Sequence, residues 1–253
     1  MDIEMNKHII KREFKFLALQ RSGHHGIMSW IFDSFKPVKL WINHCHPQTG
    51  QILGSGNPLS IKNNDVVNCV MFNVENPNLD NITDSTMLKR GFLHYVPQFT
   101  ISRSDIIIVV RDCYNNLASC FKSNYSLSLI NYTIIPTYKK LLKQMLKTKN
   151  FFPGLNTTIV NFNEWFKNSD YRQSIINDLD LSMSNEPYQV VAKAGKGSSF
   201  DKLTMDNNAQ SMKVLSRYEN YLTDKKFISL FKDNMEIVEL SKEIFGLDPL
   251  NLL

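Results

Sequence analysis

The run Ile106-Ile107-Ile108-Val109-Val110 constrains the fold more than any other stretch of this chain. Five consecutive β-branched residues favour extended backbone, and no polar residue alternates with them, so a strand here is buried on both faces. That is the setting of an inner strand in a parallel sheet, whose neighbours need long crossovers, usually helices. Phe14–Leu19, Val38–Ile42, Val66–Phe72 and Thr158–Phe162 read as further short strands. Helix candidates fall between them at Gly26–Phe35, Asn115–Asn124, Tyr132–Thr148 and Asn163–Leu179. After Leu203 the chain reads as helical to its end, most clearly over Asn207–Leu222 and Met235–Phe245. The expectation is α/β: one domain over residues 1–253, with a central parallel sheet flanked by helices and a helical C-terminal part.

Composition narrows the classes of ligand. With 43% hydrophobic and 11% aromatic residues the chain can bury a substantial core, which excludes disorder as its main state. Its net charge of +5 suits a small polyanion. Nucleic acid would need basic residues clustered on one face, and the run Lys139-Lys140, Lys143, Lys147, Lys149 reads as a solvated helix face instead. Cys45, Cys69, Cys113 and Cys120 form no CxxC pair and read as reduced, buried thiols. No apolar run reaches the ~20 residues of a membrane span. The charged start MDIEMNKHIIKREF does not read as a signal peptide, so the expected location is cytoplasmic.

In parallel α/β sheets ligands bind beyond the carboxyl ends of the strands. The first strand-to-helix turn reads Gln20-Arg21-Ser22-Gly23-His24-His25-Gly26. A cation, a small hydroxyl residue and two glycines at a helix start suit phosphate or sulfate, which the free N–H groups and helix dipole attract. A plain Ser-capped connection has the same composition. The triphosphate loop GxxxxGK[ST] is absent. A second turn follows the IIIVV strand: Arg111 closes the strand and Ser119 lies eight positions on, about two helical turns. A guanidinium can fork onto a phosphate there, or Arg111-Asp112 can be a structural ion pair.

Taken in order, these two turns resemble the sulfotransferases that use 3′-phosphoadenosine 5′-phosphosulfate (PAPS). The segment VVRDCYNNLASCFK is similar to that family's second motif almost position for position, and the likeness extends from residue 14 to about 217. The resemblance implies a P-loop-like sulfotransferase architecture without a metal, in which Arg21, Ser22, Gly23, His24, His25 and Gly26 hold the 5′-phosphosulfate. Arg111 and Ser119 would hold the 3′-phosphate of PAPS, or of the product PAP. A late loop, Lys193-Ala194-Gly195-Lys196-Gly197-Ser198-Ser199-Phe200, would close over the same end through Lys196, Gly197 and Ser198; as composition alone it reads as a surface linker. Phe162 falls where the family often stacks a Tyr near the adenine, and also reads as a core residue. The chain departs from the family in carrying His24-His25 for two hydroxyl residues, and Arg21 for a frequent Lys.

In-line sulfuryl transfer needs charge stabilisation at the departing oxygen, assigned to Arg21, and a base for the acceptor proton. Glu75 is the first candidate base and His44 the second, with His94 and His25 behind them. His44-Cys45-His46 has metal-ligand residue types but no second pair to complete a site, so no metal is expected. The acceptor is open among saccharide, lipid, small phenol and peptide. A P-loop-like nucleotide or small-molecule kinase and a PAP(S)-binding protein without turnover stand as alternatives.

Overall fold

The computed structural model describes residues 8–36, 39–43, 45–46, 66–80, 82–94, 96, 99–193 and 197–252. Six strands form one sheet: β1 (His8–Ala18), β2 (Lys39–Ile42), β3 (Val67–Glu75), β4 (Phe99–Ile101), β5 (Ser104–Val110) and β6 (Thr157–Asn161). Their order is β2-β3-β1-β5-β6, with β4 beside the start of β1, and every pairing is parallel. The helices are α1 (His24–Asp33), α2 (Thr86–Arg90), α3 (Cys113–Lys122), α4 (Leu127–Leu129), α5 (Ile135–Met145), α6 (Phe162–Lys167), α7 (Ser169–Asp178), α8 (Lys225–Lys232) and α9 (Met235–Phe245).

The IIIVV strand is buried on both faces, as its composition requires. Ile107 and Val109 join Phe14, Phe16 and Met71 under α1, α6 and α7, where Ile27, Trp30, Trp165 and Ile175 complete one layer. Ile106, Ile108 and Val110 join Leu17, Val70 and Phe72 on the other face, under Leu117, Leu141, Phe227 and Ile237 of α3, α5, α8 and α9. Two buried charges sit in that second layer. Glu13 accepts from Phe92 N at 2.6 Å and Ser104 Oγ at 2.7 Å, and lies 3.0 Å from Lys15 Nζ, which donates to Leu88 O. Gly91 closes this arrangement: a Cβ there would meet Glu13 Oε1 at 2.1 Å.

Element boundaries differ from the sequence reading in instructive places. Asn163–Leu179 is two helices, because Asn168 turns its side chain onto the N–H groups of Asp170 and Tyr171 and caps a new start. Asn207–Leu222 is not an α-helix but two 3₁₀ turns, Ala209–Ser211 and Arg217–Tyr221. Its backbone is held by side chains from the sheet layer instead. Arg111 donates to Val214 O, Asn115 Nδ2 donates to Leu215 O at 3.0 Å, and Asn115 Oδ1 accepts from Arg217 N at 2.7 Å. Partners supplied across the fold replace the i→i−4 ladder, and the helix is not needed. Strand β4 and the short helices α2 and α4 were absent from the sequence reading. The four cysteines are buried and not in disulfides. Among the described residues no helix is long and apolar enough to cross a membrane.

Candidate functional site

Register brings the chemistry to one edge. Ala18 of β1 pairs with Glu75 of β3 and Val109 of β5, and Val110 pairs with Asn161 of β6. The turn after β1, the last residue of β3, Arg111 after β5 and Phe162 after β6 therefore meet beyond the carboxyl ends of neighbouring strands. They border a cavity of about 250 Å³.

The turn after β1 is clamped from both sides. Gln20 N donates to Asn76 Oδ1 at 3.0 Å and Gln20 O accepts from Asn116 Nδ2 at 3.0 Å. Arg21 at φ 64 and Gly23 at φ 84 take left-handed backbone, which lets the chain reverse into α1. Gly23 is the N-cap, with no side-chain capping bond and no acidic residue in the first turn. The positive end of α1 is thus left to face the cavity. A side chain at Gly23 is excluded twice over, since a Cβ would also lie 2.3 Å from the Phe162 ring.

His24 is buried with Nδ1 at 3.1 Å from Ser22 Oγ and Nε2 at 3.2 Å from Glu75 Oε1. The Nε2 contact is of ion-pair length but outside hydrogen-bond direction. His25 Nε2 lies 3.7 Å from the same carboxylate oxygen, 3.1 Å from Asn43 Oδ1 and 3.0 Å from Asn73 Nδ2. Burial, then the neighbouring His24, push His25 down to about 3, so its ring is neutral near pH 7. Burial pushes the Glu75 carboxyl up, but the His24 contact, the charges of both histidines and a bond from Gln20 outweigh it, leaving Glu75 well below the usual carboxylate range. A carboxylate this acidic holds charge firmly and takes up a proton poorly. Arg21 lines the cavity with its guanidinium 5.8 Å from the centre of the Tyr125 ring.

At the other end Arg111 is almost fully enclosed at 1% exposure. It donates to Arg21 O at 3.2 Å, to Ser119 Oγ at 3.3 Å and to Val214 O. Arg217 donates to the same Ser119 Oγ at 3.2 Å and to Ser198 Oγ at 2.7 Å, and pairs with Asp201 at 3.3 Å. Ser119 gives its own proton to Asn115 O at 2.9 Å, so its hydroxyl seats two guanidinium groups behind the cavity wall. Among the described residues no carboxylate forms an ion pair with Arg111. Burial and the adjacent Arg217 lower it to about 9, which leaves it cationic at neutral pH.

Gly197 and Ser198 border the cavity, and Ser198 is also the base of a tight turn, with Ser198 N to Lys202 O and Lys202 N to Ser198 O both at 3.0 Å. Phe162 is buried, with the Arg111 guanidinium 5.2 Å from its ring centre. His44 and Lys196 lie outside the described residues. His94 ends a 3₁₀ turn and is not part of the cavity wall. The sequence reading missed Arg217, which sat inside a stretch read as helix, and the wall formed by Trp165, Tyr188, Val190 and Val191. Nothing local distinguishes Arg217; only the carbonyl contacts of Arg111 and Asn115 bring it to the site.

Among the described residues no acceptor pairs with three buried donors of cavity-lining residues: Arg111 Nε, Arg217 Nε and Trp165 Nε1. Buried donors are ordinarily satisfied, so these residues suit a ligand that brings acceptors. A charged phosphate at the arginines and a heterocycle near Trp165 meet that requirement.

No family profile matches the chain, and no curated protein sequence does. Among solved structures, the fold resembles mouse sulfotransferase SULT7A1 complexed with PAP, with a TM-score of 0.50 over 94% of this chain and 89% of that one. At 13% identity the likeness is one of fold. The chain is a mixed α/β domain with a central parallel sheet flanked by helices, matching a sulfotransferase-like fold.

Proposed function

We propose that this chain is a PAPS-dependent sulfotransferase. The observation that carries the reading is the pair of guanidinium groups, Arg111 and Arg217, converging on Ser119 Oγ at 3.3 and 3.2 Å in a buried wall. Two adjacent buried cations are costly without an anion between or beside them. A 3′-phosphate supplies that anion, and Arg111 and Arg217 bind it, with Ser119 holding both in place. The start of α1 and the N–H groups of the 22–25 turn take the 5′-phosphosulfate, and Arg21 stabilises charge on the departing bridging oxygen. Trp165 and Phe162 border the adenine.

The proton acceptor is His24, and Glu75 is its positioning residue. Glu75 alone is too acidic to remove a proton near pH 7, whereas the His24 imidazole between Ser22 Oγ and a fixed carboxylate is oriented for proton transfer. The acceptor is a hydroxyl or amine compound of a class still open. Calorimetry of PAP, ADP and Mg-ATP binding tests the donor reading. PAP should bind selectively, and Arg111→Ala should weaken it by ~10–150-fold, the equivalent of ~1.5–3 kcal/mol for a charged hydrogen bond. Binding of Mg-ATP in preference, or of none of the three, overturns it. PAP binding with no turnover of PAPS on a phenol, saccharide, lipid or peptide panel supports a nucleotide-binding protein instead.

A further inference from the structure

We propose that His24, His25 and Glu75 form a binding site for a first-row transition ion of the Zn²⁺ class, with one coordination position open to the cavity. One nitrogen of each imidazole and one carboxylate oxygen lie within 4.8 Å of one another. Two edges of this triangle are already short: 3.2 Å from His24 Nε2 and 3.7 Å from His25 Nε2 to Glu75 Oε1. Tetrahedral zinc, with bonds of ~2.0–2.1 Å, sets its ligand atoms ~3.3 Å apart. The third edge, between the two imidazole nitrogens, is within 4.8 Å, and an ion there would compete with Asn43 and Asn73 for His25 Nε2. Two imidazoles and one carboxylate favour zinc, nickel, copper or iron over magnesium or calcium.

Two further observations point to an ion. His24 is 2% exposed, and its Nε2 contacts Glu75 Oε1 at 3.2 Å as an ion pair without hydrogen-bond alignment. Its other nitrogen is held at 3.1 Å by Ser22 Oγ, the outer contact that fixes ring orientation and tautomer in metal-bound histidines. The ligands also stand on firm backbone, two in the first turn of α1 and one at the end of β3. They lie about fifty positions apart in the chain, which is why adjacency in the sequence drew attention to His44-Cys45-His46 instead.

Zn²⁺ binding here needs no sulfuryl transfer. If the transfer reading holds, occupancy also silences it, because an ion on His24 Nε2 and Glu75 replaces the contact by which Glu75 positions the imidazole. The full chain, stripped with a chelator, is titrated with Zn²⁺ by calorimetry and with Co²⁺ by visible absorption. The expected result is one equivalent bound, cobalt d–d bands without a thiolate charge-transfer band, and affinity lowered by at least ~10-fold in both His25→Ala and Glu75→Gln, with Cys45→Ser unchanged. Absence of stoichiometric binding, a thiolate band, or binding that survives both substitutions overturns the site. Should a variant fail to fold, the wild-type cobalt spectrum decides alone. A chain that binds Zn²⁺ but not PAP keeps this site and loses the transfer reading; PAP without Zn²⁺ does the reverse.

Discussion

The two ends of the cavity are built from opposite materials. At the histidine end, the turn Arg21–Gly26 offers a helix dipole, backbone N–H groups and two imidazoles, and Glu75 balances the imidazoles from 3.2 and 3.7 Å. At the arginine end, Arg111 and Arg217 share one hydroxyl, and only Arg217 has a carboxylate in contact. One end pairs a carboxylate with two imidazoles. The other holds two buried guanidinium groups, of which Arg111 has no ion pair among the described residues. Affinity for a phosphorylated nucleotide should therefore reside at the arginines and reactivity at the histidines, with Phe162 between them, against Gly23 on one side and Arg111 on the other.

The separation can be broken most severely at Glu75. Glu75→Gln keeps the shape but removes the charge that orients His24, so turnover should fall by ~10²–10⁴-fold, the usual worth of general base catalysis. Calorimetry should find PAP affinity nearly intact, and the pH–rate profile should move; a parallel loss of PAP affinity would merge the two ends. Arg217→Met is the converse. PAP affinity should drop by ~10–150-fold, while the melting temperature of the unliganded protein holds or rises because one of two neighbouring cations is gone. A large fall in that melting temperature would mean the guanidinium groups are structural.

Gly23→Ala tests the join. Left-handed backbone costs ~1–2 kcal/mol for a residue with a Cβ, and the contact with the Phe162 ring adds ~1–3 kcal/mol of overpacking. Denaturant melts should register both, and Phe162→Leu in the same chain should recover the second part only. The mildest expected effect is on pH. His25 titrates near 6.5 when unfolded and is lowered to about 3 by burial and His24, so between those values the unfolded chain binds the extra proton. Stability should decline as pH falls through that window. Glu75, also lowered, adds its loss only below its unfolded value of about 4.5. Melts of His25→Asn between pH 7 and 5 should lie flatter than wild type; an unchanged slope would show that His25 is not buried as a neutral ring.

Much of this was legible in the residues because it is local. IIIVV announces a doubly buried strand from composition alone, and Arg21–Gly26 announces a tight strand-to-helix turn because its glycines and small hydroxyl residue are contiguous. Met235–Phe245 is a helix in the sequence reading and in the fold. Asn207–Leu222 failed for the opposite reason. Its geometry is imposed by Arg111 and Asn115, about a hundred residues away, and no periodicity within the segment encodes those bonds. Arg217 was lost with it. Glu75 was found, but as an isolated base; its contact with His24 depends on the register of β1 against β3.

The sequence by itself determined the layered α/β fold and placed Arg21–Gly26 and Arg111 at strand-to-helix turns, since burial pattern and turn composition are written in neighbouring residues. Tertiary structure decided which charges meet. Arg217 joins Arg111, and Glu75 joins His24 and His25, only once parallel strands align their carboxyl ends and buried side chains bind distant backbone. Hydrogen bonds and contact ion pairs form only at separations of ~3–4 Å, and distances of that order between remote residues exist only in the folded chain.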